Sequence, residues 1–175
     1  DQLNDAGLEP AGVNGTWLQP FEVALEPRDG GNSSVTLGDK RTSATPLFCS
    51  EQGEVVAPLV WCGYGIDDDE RKWNDFGSRD LAGSIALVVR GTPPNPDAGK
   101  TVEVTNPHVG GDTQLVSTGD GWGSAGSIFT KVMNAKRRGA VAVLLVPKSA
   151  DEGVLAFDAG HGARAGIPAV TVGWD

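Results

Sequence analysis

The sequence predicts an α/β domain built around a parallel sheet, and three observations carry that prediction. Ile85-Ala86-Leu87-Val88-Val89 is apolar at every position, and so is Val141-Ala142-Val143-Leu144-Leu145-Val146. A strand that is apolar on both faces belongs in a covered layer, and covered layers are usually parallel. Between the two lies a helical pattern that gathers Ile128, Phe129, Val132, Met133 and Ala135 on one face,. Lys131, Asn134, Arg137 and Arg138 fall largely on the other. Gly139 supplies the helix stop, and the basic last turn suits the helix dipole. Strand, helix and strand together form a parallel β-helix-β unit.

The other elements follow in chain order. Asp1 to Ala6 reads as the tail of a helix, with Gly7 as its stop,. Leu8 to Trp17 is turn-rich. Phe21-Glu22-Val23-Ala24-Leu25 alternates with period two, as a half-buried strand does. Ser34 to Leu37 is a short strand after a Gly-Gly turn. Thr45 to Ser50 and Val55 to Tyr64 read as a hairpin reversing about Glu51-Gln52-Gly53-Glu54. The stretch from Gly91 to Gly126 is too long for a plain connection and has room for a small hairpin, Thr101 to Thr105 with Gln114 to Val116. Ile167 to Val172 supplies a late strand. No repeat and no linker divides the chain.

Composition narrows the function. The 175 residues suit one domain with a real core,. The formal charge is -9 and the pI about 4.6, so the surface repels phosphate backbones and nucleic acid is not an expected partner,. No run is long enough to span a bilayer, and no membrane partner is expected. The first residues lack the basic start and apolar stretch of a signal peptide, and there is no initiator Met,. That fits a processed or excised chain. Cys49 and Cys62 leave the redox compartment open. Across the expected hairpin they do not face each other, so the expectation is two buried thiols. Asn14-Gly15-Thr16 and Asn32-Ser33-Ser34 fit the glycosylation triplet, a pattern that arises often by chance.

Several motifs invite a site. Gly121-Trp122-Gly123-Ser124-Ala125-Gly126 has the G-x-G-x-x-G spacing that lets backbone amides approach a pyrophosphate at a helix N-terminus,. Its context is poor, because the preceding strand is short and no acid follows the next strand to meet a ribose. Asp67-Asp68-Asp69-Glu70 could attract calcium but lacks the alternating ligands and glycine of an EF-hand loop. A solvated turn suits it better. His108 and His161 are the only histidines, and with Asp112 and Asp158 they match no metal spacing. No nucleophile elbow is present. Of Trp61, Trp73, Trp122 and Trp174, Trp122 is expected to be the most exposed, since glycines surround it. If the chain binds a peptide, the long loop after Val89 is the expected place, because ligands collect at the C-terminal ends of parallel strands. Arg90, Trp122 and Lys131 are the candidate peptide-binding residues. Deleting Asn95 to Thr118 is expected to leave stability nearly unchanged.

One order of residues is more specific than any of these pieces. Ala57-Pro58-Leu59-Val60-Trp61-Cys62-Gly63-Tyr64-Gly65-Ile66 is followed by Trp73-Asn74-Asp75-Phe76 and Asp80-Leu81-Ala82-Gly83-Ser84-Ile85. Then come Arg90-Gly91, Lys131-Val132-Met133-Asn134-Ala135, Arg138-Gly139-Ala140-Val141-Ala142-Val143 and Ile167-Pro168-Ala169-Val170. The series resembles the protease-associated domain of secreted zinc aminopeptidases. Ser84 stands where that family usually has Lys, on what reads as an exposed turn. Asp5 to Phe21 resembles the lead-in from the peptidase's first helix.

The resemblance implies a swivelling β/β/α domain with a mostly parallel central sheet, a second antiparallel sheet and flanking helices. It implies a lead-in over 1–27 and the protease-associated domain over 28–175. It also implies a non-catalytic module of a secreted or extracytoplasmic protein, which modulates substrate access or binds peptides or the peptidase body itself. No catalytic residue, cofactor or metal is assigned to this chain. Zinc is expected only in a peptidase body beyond Asp175. A calcium-stabilised interaction domain and a nucleotide-binding domain remain as alternatives.

Overall fold

The computed structural model describes residues 2–20, 28–105, 113–117, 119–158 and 163–173. The expected strand at Phe21 to Leu25 lies outside them, as do His108, Asp112, His161 and Trp174.

Five strands form the central sheet: β3 (Thr45–Pro46), β4 (Leu59–Trp61), β7 (Ile85–Val89), β10 (Ala142–Val146) and β11 (Ala169–Thr171). Their spatial order is β3-β11-β10-β7-β4. The last four run parallel, with Leu144 opposite Leu87 and Val60 opposite Ala86, and β3 closes the far edge antiparallel to β11. The doubly apolar strands β7 and β10 lie in the interior of the sheet, as a covered layer requires. Around the sheet stand three two-stranded antiparallel ribbons. They are β1 (Ser34–Leu37) with β2 (Lys40–Ser43), β5 (Asp67–Asp68) with β6 (Trp73–Asn74), and β8 (Thr101–Thr105) with β9 (Thr113–Ser117). The last is the small hairpin expected in the long loop.

Helix α1 (Gln2–Asp5) ends at Gly7, whose φ of 74° carries the turn. Helix α2 (Ile128–Arg137) connects β7 to β10. Ser127 caps its start, its hydroxyl accepting the Thr130 N–H at 3.2 Å,. At its end Gly139 has φ 93°, its N–H bonds the Lys136 carbonyl, and the Ala140 N–H bonds that of Ala135. This is the Schellman arrangement. A Cβ at Gly139 would stand 2.9 Å from the Ala82 Cα, so glycine is required twice over,. Val132 and Ala135 pack on Ala86, Val88, Val143 and Leu145 from one sheet face, with Leu81, Phe76, Cys49 and Cys62 completing the core. Both cysteines are buried free thiols, and burial pushes both pKa values up.

Three expectations are corrected. Residues 45–50 and 55–64 do not form a hairpin, since β3 pairs with β11 and β4 with β7. After Leu47 the chain turns through Ser50 and bonds Ile167 instead. An apolar strand such as Ile85–Val89 buries more beside β4 than a polar turn could hold together. Lys131 and Asn134 are 1% and 4% exposed, not on a solvent face. Ser84 is buried as well, with its N–H on the Leu81 carbonyl and its own carbonyl accepting from Val141.

Candidate functional site

Parallel strands all deliver their following turns to one rim. Here β4 leads into Gly63-Tyr64-Gly65, β7 into Arg90-Gly91-Thr92, and β10 into Pro147-Lys148. The first turn is held by polar side chains from elsewhere. Asp75 accepts the Ile66 N–H at 3.0 Å and fills the space a side chain at Gly63 would need. Gly65 has φ 68° and lies against Val88, while its carbonyl accepts from Asn134 Nδ2 at 3.2 Å. The G-Y-G-I series, Asp75 and Asn134 thus form one architectural unit that ties this turn to α2.

Lys131 runs its stem beneath that turn. Its Nζ donates to the Gly91 carbonyl and, at 3.4 Å, to that of Val89, and it lies 5.7 Å from the centre of the Tyr64 ring. Lys148 approaches the same ring at 5.9 Å. Burial pulls the Lys131 pKa down to about 8, against the opposing pull of the Asp75 and Asp120 carboxylates,. Arg90 is committed to the segment after β10. Its guanidinium bonds the Glu152 carboxylate at 2.9 Å and the carbonyls of Glu152 and Gly153 at 2.7 and 3.1 Å. The Lys148 N–H and Arg90 together hold the Glu152 pKa low.

Trp122 is 3% exposed, against the expectation that its glycine neighbours leave it in solvent. Its indole N–H bonds the Pro93 carbonyl at 2.9 Å, its ring meets Trp73 edge-on at 5.4 Å, and the Arg71 guanidinium lies 5.8 Å from its centre. Partners that lie about 30 and 50 residues away bury it, and no local pattern announces them. Thr92 bonds Asp120, Asn95 bonds the Gly121 carbonyl, and the Gly99 N–H meets the Gly119 carbonyl at 2.7 Å. The long loop is therefore a stapled base carrying the β8–β9 ribbon. Arg90, Trp122 and Lys131 all border it, and each spends its polar hydrogens on the chain's own carbonyls or on Glu152.

The other motifs are also occupied by the chain itself. Space beside Gly121 is filled by Asn95, and space beside Gly126 by Thr92, Trp122 and Asp120. The strand before this glycine run, β9, belongs to the ribbon and not to the parallel sheet. Asp67 pairs with Arg138 and Asp68 with Arg71, each at 2.7 Å. Among the described residues no three His, Cys, Asp or Glu side chains come together to hold a metal ion, and no helix is long and apolar enough to cross a membrane.

On the sheet face away from α2, Trp61, Leu87, Val146, Pro147 and Gly173 line an apolar cleft of about 230 Å³. Trp61 is 52% exposed and Leu59 39%. Sequence reasoning missed this cleft. The signal available was Trp61 in a run whose alternate residues are also apolar.

The model of the PA domain family matches residues 51–175. No curated protein matches the chain. Among solved structures, an aminopeptidase from Aneurinibacillus sp. strain AM-1 is similar at 23% identity and a TM-score of 0.48, over 78% of this chain and 23% of that one. BSAP, a zinc aminopeptidase from Bacillus subtilis, is similar at 20% identity and a TM-score of 0.47, over 78% of this chain and 24% of that one. The chain spans about a quarter of the length of the solved structures it matches.

Proposed function

Because the chain belongs to the PA domain family, we propose that it is a non-catalytic accessory domain of a secreted zinc aminopeptidase, shaping substrate access or binding peptides or partners. The family match over 51–175 carries this reading, and the ordered residues from Ala57 to Val170 point to the aminopeptidase branch. Residues 28–175 are the domain and 1–27 its lead-in. Zinc belongs to the peptidase body, where it would activate water for peptide hydrolysis. No residue of this chain is assigned to it. The expected partners are a peptide or the peptidase body.

The test is an aminoacyl-nitroanilide assay of this chain with added zinc, beside the full peptidase. Turnover is expected from the full protein alone. Zinc-dependent hydrolysis by this chain would overturn the reading.

A further inference from the structure

We infer that the outer edge of β4 takes an added strand from an extended peptide, with one apolar side chain seated in the cleft beside Trp61. This deepens the accessory-domain reading and rests on it only for the class of ligand.

The backbone makes the first argument. β4 ends the sheet order, with β7 on its inner side. The Pro58 carbonyl accepts from Ile85 at 2.8 Å, and the Cys62 N–H donates to Leu87 at 2.9 Å. Val60 stands opposite Ala86 in register. In a parallel ladder the residues that bond inward alternate with residues that bond outward. Val60 serves β7, so Leu59 and Trp61 turn their N–H and C=O groups to the open edge. Among the described residues, none of these groups has a partner.

The side chains make the second. Natural edges are blunted with Lys, a bulge or a cover. The edge Leu59-Val60-Trp61 is apolar and uncharged, and Val56 before it is 96% exposed. A strand laid against it would send alternate side chains to the face that Trp61 shares with Leu87, where the 230 Å³ cleft has room for one branched side chain,. Charge sets a direction. Lys148 Nζ lies 5.9 Å from the centre of the Tyr64 ring, just beyond the C-terminal end of β4. A peptide running parallel to β4 points its carboxylate toward Lys148.

The test is amide NMR of the labelled chain titrated with a pentapeptide that alternates threonine and leucine and has free ends. Saturable shifts are expected at Leu59, Val60, Trp61 and Lys148. A peptide N-methylated on alternate residues keeps its side chains but loses donors, and it should bind about tenfold more weakly. Trp61→Lys should abolish the shifts. Leu37→Lys, on the exposed β1–β2 ribbon, should leave them unchanged, with both variants' spectra confirming the fold. Equal binding of the methylated peptide overturns the inference, as does the absence of saturable shifts. So does a dimer of the chain that protects the same amides without peptide. Shifts confined to the surroundings of Arg90 and Glu152 would also overturn it, yet leave the accessory-domain reading standing.

Discussion

Replacing Lys131 by Met should erase a pH dependence of stability while keeping the fold. Below about pH 8 both folded and unfolded chains hold the Lys131 proton, and the folded state bears the full cost of a desolvated ammonium. Its pKa is ordinarily 10.5 and falls to about 8 on burial. Above that value the folded chain releases the proton and the unfolded chain keeps it. Unfolding then takes up a proton, so stability rises with pH. The slope approaches about 1.4 kcal/mol per pH unit, or roughly 1.3 kcal/mol between about pH 7 and about pH 9. The Cys49 and Cys62 thiols act in the opposite sense, because burial raises their pKa values. Above about pH 9 they lower stability, since unfolded thiols ionise first. Both proteins carry these thiols, so they cancel in the difference. The methionine fills the lysine's channel but leaves the Val89 and Gly91 carbonyls without their donor. That costs about 1–3 kcal/mol at every pH. Urea melts of both proteins by tryptophan fluorescence, at about pH 7, 8 and 9, read the difference. A wild-type-minus-variant stability that stays flat to within about 0.3 kcal/mol refutes the buried ammonium as its source.

Two further outcomes follow from the loop. Excising Lys100 to Thr118 and joining Gly99 to Gly119, which already share a 2.7 Å hydrogen bond, should shift the melting temperature by no more than about 2 °C, because loop length costs little; calorimetry measures it. Trp122→Ala empties a buried indole site and orphans the Pro93 carbonyl, so chemical denaturation should show a loss of about 3–5 kcal/mol.

Where one residue's neighbours were its own sequence neighbours, the sequence was legible. Strands β7 and β10, helix α2, its Gly139 stop and the β8–β9 ribbon all stand where periodicity and turn chemistry put them. Legibility failed where a distant segment decided. Glu51 to Glu54 looked like a reversal, but Ile167 and Ile85–Val89 offered better partners to the strands on either side. Lys131 had a polar position on the helix wheel, yet the turn after β4 folds over it, and its Nζ finds carbonyls at the end of β7. Trp122 sat among glycines, and aromatic and cationic groups from the β5–β6 ribbon closed over it. The deletion bounds shift for the same reason: Asn95 belongs to the staple under the ribbon, which makes Gly99 and Gly119 the natural joint.

Strands β3 and β11 lie side by side, with Pro46 opposite Val170 and the Leu47 N–H on the Ala169 carbonyl at 2.9 Å. The polypeptide thus comes into the sheet and goes out of it through one two-ply stem. A body carried this way can be spliced into a surface loop of another fold without prising that loop open. In such a setting a small twist of the stem would swing the opposite edge, where β4 lies, through the widest arc in the sheet.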